Sequence, residues 1–172
     1  MTLDVHSFSA RFPQLVDQLR GVNLAALVAA FREVEVDDGA PIVAQGQPVE
    51  GLILAWAGRA RVRSGENELG EVGPGSMLGE VAWIDRGPAT ATLTANGDMT
   101  CLILDREVYA RLRTEHPVAA AHLLRGINRS IATRLRAADA RFEQVSAGGG
   151  DAPERRRGLF ESFFALFAAP ES

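Results

Sequence analysis

One loop carries the residue types from which a small-molecule site could be built. Residues 75–95 read GSMLGEVAWIDRGPATATLTA, a glycine-framed glutamate followed by a short apolar turn and an alternating strand. Gly79 permits close approach of the backbone, and EVAWI is expected to form a helical turn whose free N–H groups attract phosphate. Glu80 can accept a hydrogen bond from a sugar hydroxyl, and Thr90 and Ala91 add a hydroxyl and an N–H. The loop therefore predicts a site for a small sugar-phosphate ligand.

The rest of the chain offers little chemistry for catalysis or metal binding. The histidines are scattered, without metal-ligand spacing or a Ser/His/Asp arrangement. All basic residues are arginines, which excludes a P-loop lysine and a Schiff-base nucleophile. Cys101 lies in MTCLILD, a pattern typical of a buried strand with an inert thiol. Glu80 and Asp85 are two carboxylates in one loop, but nothing else organises them as an acid–base pair. We therefore expect neither an enzyme nor a metalloprotein.

Composition and charge restrict the class of protein further. The chain has 172 residues, of which 47% are hydrophobic, and this suits one compact domain with appendages. Its net charge of −4 does not indicate a nucleic-acid-binding surface. The N-terminus lacks the pattern of a signal peptide, and no stretch reaches the ~20 apolar residues needed to span a bilayer. A cytoplasmic protein is expected.

Hydrophobic periodicity changes twice along the chain. Residues 1–33 have helical spacing and predict one or two short helices, the second capped by Asn23. From residue 34 short apolar runs alternate with turn residues, including breaks at Ala57-Gly58 and Gly65-Asn67, which is typical of an all-β sandwich or barrel. ATLTANGDMTCLILD predicts two strands joined by an Asn96-Gly97 hairpin turn. In GRARVRSG, arginines alternate with apolar residues, as in a strand with one wet face.

Helical periodicity returns after Asp105. REVYARLRTEHP predicts a short helix that Pro117 ends, and a long helix is expected from Val118 to Val145. Its apolar positions form a narrow seam that favours pairing with a second copy of the chain, the alternative being that the helix packs on its own domain. The seam residues proposed for a homodimer are Leu124, Ile127, Ile131, Leu135 and Phe142.

The C-terminal segments differ in composition from the domain. Residues 146–154 read as a flexible linker, and residues 155–172 as an amphipathic peptide. The peptide would be too short to cross a bilayer, so it is predicted to dock on a protein partner, on its own domain or on a membrane surface as a peripheral anchor. Its predicted contact residues are Arg155, Arg156, Arg157, Leu159, Phe160, Phe163, Phe164 and Phe167.

The chain from about Leu24 to Val145 resembles the cyclic nucleotide-binding domain family, and residues 34–145 are predicted to form its β-roll and closing long helix. The glycine-punctuated first strands, DDGAPIVAQGQPVEGLILAWAGRARV, match its pattern, and GEVAWIDRGPATATL matches its phosphate-binding cassette. The resemblance implies a mainly β fold with flanking helices: a double-stranded β-helix, or jelly-roll-like β-roll, with N-terminal helices and a long C-terminal helix. It implies that Glu80 binds a ribose 2′-hydroxyl. The cassette residues it marks for ligand binding are Gly79, Glu80, Val81, Ala89, Thr90 and Ala91.

The cassette departs from the family pattern at one position. The resemblance implies an arginine after the cassette proline, where it would pair with the cyclic phosphate, but this chain has Ala89. Arg86, three residues earlier, is expected on the outside of the loop rather than as its substitute. The prediction is a stand-alone regulatory module that binds cAMP or cGMP weakly or not at all. The alternative is a scaffold protein targeted by its C-terminal peptide; helix-turn-helix DNA recognition, which the family's transcription factors use, is not expected here.

Overall fold

The computed structural model describes residues 3–17 and 19–147, with only the backbone described at residues 138 and 141–147. Three short helices, α1 (Val5–Arg11), α2 (Pro13–Val16) and α3 (Gly21–Ala29), precede the sheet. The strands are β1 (Arg32–Val36), β2 (Pro41–Val43), β3 (Gly51–Ser64), β4 (Asn67–Val72), β5 (Met77–Leu78) and β6 (Thr92–Asp105). Helix α4 (Glu80–Asp85) lies between β5 and β6, and α5 (Arg106–Glu115) and α6 (Pro117–Ala147) complete the order.

The N-terminal helices begin at caps that the periodicity did not locate. Asp4 caps α1, because its carboxylate accepts hydrogen bonds from the backbone N–H groups of His6 and Ser7 at 2.8 and 3.0 Å. The predicted cap at Asn23 is wrong, since α3 already begins at Gly21 and its N-cap is the extended Arg20. Asn23 therefore lies in the first turn of the helix, and the region holds three helices rather than one or two.

Two strands of 14 residues organise the β-roll. Strand β6 pairs antiparallel with β1, β2 and β3, while β3 pairs antiparallel with β4, β5 and β6. Each long strand thus pairs with different strands along different parts of its length. This allows the single six-stranded sheet to curve around an interior. The mainly β fold with flanking helices, predicted from the sequence, is confirmed.

The hairpin predicted at Asn96-Gly97 is wrong, because both residues lie within the continuous strand β6. Strand β3 pairs with β6 on both sides of this point, and the register shifts between Ala57 and Arg59. The extra residues of β6 therefore form a bulge instead of reversing the chain. The break predicted at Ala57-Gly58 is wrong for the same reason, since β3 runs through it. A Cβ at Gly58 would lie 2.6 Å from the Asp98 carbonyl oxygen, so only glycine allows this close crossing.

Alternation along the long strands divides the apolar residues into two cores. One face of β3 and β6, with Leu52, Trp56 and Leu102, packs against the helices. The other face lines the interior of the roll and includes Met99 and Cys101. Burial raises the pKa of the Cys101 thiol from its ordinary 9.0 to about 11, which fits the inert thiol predicted for it. The cassette lies beside both cores, so its side chains can be positioned by each.

Helix α6 is fixed to the N-terminal helices along its first half. A Cβ at Gly126 would lie 2.4 Å from the Gln14 carbonyl oxygen, so the two helix backbones approach closely at this residue. Asp17 holds the next turn, because Arg129 donates to its carboxylate at 3.0 Å and Arg125 donates to its carbonyl at 3.3 Å. This anchoring sets the direction in which the second half of α6 leaves the N-terminal helices.

Candidate ligand-binding site

The cassette begins with a glycine in a conformation that other residues avoid. Gly79 has φ +66°, and a Cβ there would lie 3.1 Å from the side chain of Val49. It is the N-cap of α4, and its carbonyl accepts a hydrogen bond from the Trp83 backbone at 2.9 Å. The sharp turn directs Glu80 inward, where its side chain is only 1% exposed.

The end of the cassette is held by the loop between β2 and β3. The Ala89 N–H donates to the Gln47 carbonyl and the Ala89 carbonyl accepts from the Gly46 N–H, both at 2.8 Å. Ala89 is 5% exposed, and its methyl group packs in the interior core of the roll. Both backbone groups are therefore used, and the side chain adds no charge at this point.

The other residues predicted for the cassette site differ in how far they are exposed to solvent. Ala91 is 7% exposed and belongs to the interior core with Ala89. Thr90, between them, is exposed, and Val81 is 42% exposed on the outer side of α4. The structure therefore brings Glu80, Ala89 and Ala91 to the buried side of the cassette but does not bring Val81 or Thr90 there.

Arg86 lies on the outside of the cassette loop. It is exposed, and with φ +60° it is the only non-glycine residue with positive φ among the described residues. It lines a cavity of about 640 Å³. The cavity is lined by Pro48, Val49, Glu50, Arg86, Gly87, Asp105, Arg106 and Glu107, and Glu80 is not among its lining residues. In this structure Arg86 therefore does not stand in for the arginine absent at position 89.

Glu80 is paired with an arginine that the sequence reasoning did not single out. The Arg134 guanidinium, on α6, donates to Glu80 Oε1, and the Arg134 side chain is only 15% exposed. Glu80 Oε2 is also buried and has no hydrogen-bond partner among the described residues. Arg134 follows Ile127 by seven residues and Ile131 by three, so helical spacing places it on the same buried face, and this signal was available in the sequence.

Burial dominates the electrostatics of this carboxyl group. It raises the pKa of Glu80 above the ordinary 4.5, and the charge of Arg134 opposes only part of that increase. The negative charge of Glu80 therefore costs folding free energy, which a ligand hydroxyl donating to Oε2 would partly recover.

The raised pKa predicts a pH dependence that a Glu80→Gln variant isolates. Between pH 4.5 and the higher folded-state pKa, the folded protein binds more protons than the unfolded chain. The free energy of unfolding of the wild type, relative to that of the variant, should therefore fall as pH rises through this window, by at most about 1.4 kcal/mol per pH unit. Urea denaturation of both proteins from pH 4 to 8 measures this difference. If the free energy of unfolding of the wild type, relative to that of the variant, stays constant or rises with pH, the pKa of Glu80 is not raised in the folded protein.

A second arginine connects the cassette to α5. Arg106 donates hydrogen bonds to the carbonyls of Trp83 at 2.8 Å, Val49 at 3.1 Å and Ala82 at 3.3 Å. Trp83 also contacts the Tyr109 ring edge-on, with centroids 5.0 Å apart. Burial lowers the pKa of Arg106, and the nearby charge of Arg86 adds to this effect. The end of α4 is thus fastened to the start of α5.

The predicted dimer seam divides into an inner and an outer part. Ile127 is fully buried by its own domain and cannot contribute to a dimer contact, while Leu124 and Ile131 pack partly buried against the same core. Leu135 is 60% exposed and available to a partner. The side chain of Phe142 and all of residues 155–172 lie outside the described part of the chain. Helix α6 extends to Ala147, two residues into the predicted linker.

The described residues contain no cluster of three or more His, Cys, Asp or Glu side chains that could hold a metal ion. No helix among them combines the length and the apolar character required to cross a membrane.

Comparison with known protein families matches the region that contains the β-roll and the cassette. Residues 33–116 match the family model for the cyclic nucleotide-binding domain. The chain is therefore, over these residues, a member of the cyclic nucleotide-binding domain family.

Two curated proteins and one solved structure show the range of its relatives. Glutaminase 2 of Bradyrhizobium diazoefficiens is 31% identical over 77% of this chain but only 21% of its own length. The CRP-like cAMP-activated global transcriptional regulator of Mycobacterium tuberculosis is 27% identical over 63% of this chain and 50% of its own length. The N-terminal domain of a transcriptional regulator from Streptomyces coelicolor A3(2) is 28% identical, with a TM-score of 0.62 over 76% of this chain and 94% of that domain. The chain thus spans half or less of the curated relatives.

Proposed function

We propose that this regulatory domain has a degenerate cassette and binds cAMP and cGMP weakly or not at all. The observation that carries the proposal is Ala89, whose buried methyl group stands where the family resemblance implies a phosphate-binding arginine. Glu80, the residue that the resemblance assigns to the ribose, is present and buried. The cassette therefore keeps its hydroxyl acceptor and lacks its principal cation.

The expected loss of affinity follows from the strength of charged hydrogen bonds. Each bond between a guanidinium and a phosphate contributes on the order of 1.5–3 kcal/mol. Loss of one such bond weakens binding by roughly 10- to 100-fold, since about 1.4 kcal/mol is a factor of ten. A phosphate next to the Ala89 methyl would also lose its hydration without gaining a neutralising partner there.

Ligand-dependent stabilisation tests this proposal on the unaltered chain. A ligand at about 1,000 times its dissociation constant stabilises a protein by about 4 kcal/mol, which corresponds to roughly 8–16 °C for a domain of this size. A dissociation constant weaker than about 100 μM means that about 1 mM cAMP or cGMP stabilises the protein by less than about 1.4 kcal/mol and raises the melting temperature by less than about 6 °C. A rise of 8 °C or more, indicating micromolar affinity, would overturn the proposal.

The output of the module is proposed to pass through α6 to a second copy of the chain. Support comes from the exposed Leu135 on the outer half of this helix, beyond the turns that pack on the domain. Sedimentation equilibrium of the full chain distinguishes a dimer from a monomer. We expect a dimer, and a monomer at micromolar concentration would count against dimer signalling.

A further inference from the structure

The Glu80–Arg134 pair differs from the other ion pairs of the described residues. The Arg32–Asp105, Arg59–Glu71 and Arg129–Asp17 pairs join side chains that are between 35% and 66% exposed. Glu80 and Arg134 are 1% and 15% exposed. Exposed pairs contribute little to stability, whereas a buried pair is costly to separate because the buried carboxylate then loses its cation. This contact can therefore hold a helix against the cassette.

The position of Arg134 along α6 allows the Glu80–Arg134 contact to hold the outer half of the helix against the cassette. We call this contact the latch. The first half of α6 is fastened to the N-terminal helices through Gly126 and Asp17, and Ile131 is the last residue of α6 packed on the core among those whose side chains the structure describes. Beyond Ile131 the described side chains are half-buried or exposed, and Leu135 faces solvent. Arg134 thus joins the outer half of α6 to the cassette.

The same contact occupies the carboxylate that a ligand would use. Glu80 Oε1 already accepts from Arg134, so only Oε2 remains for a hydroxyl donor. A ligand that needs both carboxylate oxygens, or the space filled by the guanidinium, can bind only after Arg134 withdraws. For such a ligand, binding and attachment of the outer half of α6 compete for Glu80.

We propose that Arg134 is an internal competitor for the ligand site and that its release from Glu80 frees the outer half of α6. This inference rests on the proposed role of the cassette as a ligand site. It adds a specificity element from outside the cassette: a hydroxyl-bearing ligand must offer Glu80 a better contact than Arg134 does. Ligand binding in the cassette thereby releases the outer half of α6, which carries Leu135.

Hydrogen exchange of the ligand-free protein tests the latch without any nucleotide. Arg134→Met and Glu80→Gln disrupt the pair from opposite sides, and both should accelerate amide exchange in residues 132–140 by about tenfold. Arg136→Met, at an exposed position on the same helix, is the matched control and should leave exchange unchanged. Unchanged exchange in both variants, with circular dichroism showing that each is folded, would overturn the latch.

Binding of cAMP in an Ala89→Arg background tests the competition. Adding Arg134→Met should tighten cAMP binding by about tenfold relative to Ala89→Arg alone, whereas adding Arg136→Met should not. Weaker binding would show that Arg134 contacts the nucleotide instead of excluding it, and unchanged affinity would show that it does neither; both results contradict the proposal. If Ala89→Arg itself gains no affinity, the degenerate-cassette proposal fails, and the exchange experiment still decides the latch.

Discussion

Replacing Ala89 with arginine is expected to tighten cAMP binding by about 10- to 100-fold, because it restores a cation beside the cyclic phosphate. The cassette backbone at this position is already held by the loop before β3, through the hydrogen bonds of Ala89 with Gly46 and Gln47. The substitution therefore changes the side chain at a position whose backbone is already held in place. Isothermal titration calorimetry of cAMP against the variant and the wild type measures the gain.

The control for this prediction separates local pairing from a general increase in positive charge. Thr90→Arg adds the same charge one residue later, at an exposed position, and should change the affinity by less than about threefold. Equal gains in both variants would indicate non-specific attraction of the nucleotide. No gain in a folded Ala89→Arg variant would contradict the degenerate-cassette proposal, because the missing arginine would then not account for weak binding.

Replacing Arg106 with methionine is expected to destabilise the domain by about 3 kcal/mol. The substitution leaves the carbonyls of Val49, Ala82 and Trp83 without their guanidinium donor while keeping a long side chain over the tryptophan ring. Urea denaturation gives the free energy of unfolding.

Arg111→Met is the matched control for the Arg106 variant, because Arg111 lies on the same helix and is exposed. Its effect should stay within about 0.5 kcal/mol. A loss at Arg106 no larger than that at Arg111 would show that this arginine does not fasten the cassette to α5.

The parts of the fold that follow from local patterns could be predicted from the sequence. Alternation of arginines with Ala60 and Val62 indicated a strand with one wet face, and the structure shows that strand. Pro117 marked the boundary between α5 and α6. The cassette motif located Glu80 and Ala89, both of which are buried.

Errors arose where distant pairing overrides a local signal. Asn96-Gly97 is a strong hairpin signal by itself, but β3 pairs with β6 on both sides of it and converts the turn into a bulge. Gly58 marked a break for the same local reason and instead allows two strands to cross closely. Such pairings depend on residues about 40 positions apart, which local periodicity does not relate.

The two arginines that connect the cassette to the C-terminal helices were missed for a different reason. Arg106 and Arg134 are two of 18 basic residues, and arginines are most often exposed, so residue type alone does not indicate that either is buried. The position of Arg134 on the line of Ile127 and Ile131 was a usable signal. Nothing comparable marks Arg106, whose partners are backbone carbonyls supplied by the folded cassette.

The most direct measurement of the central claim is calorimetric titration of the unaltered full-length chain with cAMP and with cGMP. Alanine in place of arginine at position 89 predicts a dissociation constant weaker than about 100 μM for each nucleotide, or no detectable heat of binding. A dissociation constant of about 1 μM or tighter for either nucleotide would contradict the claim, because some other side chain would then have to neutralise the phosphate.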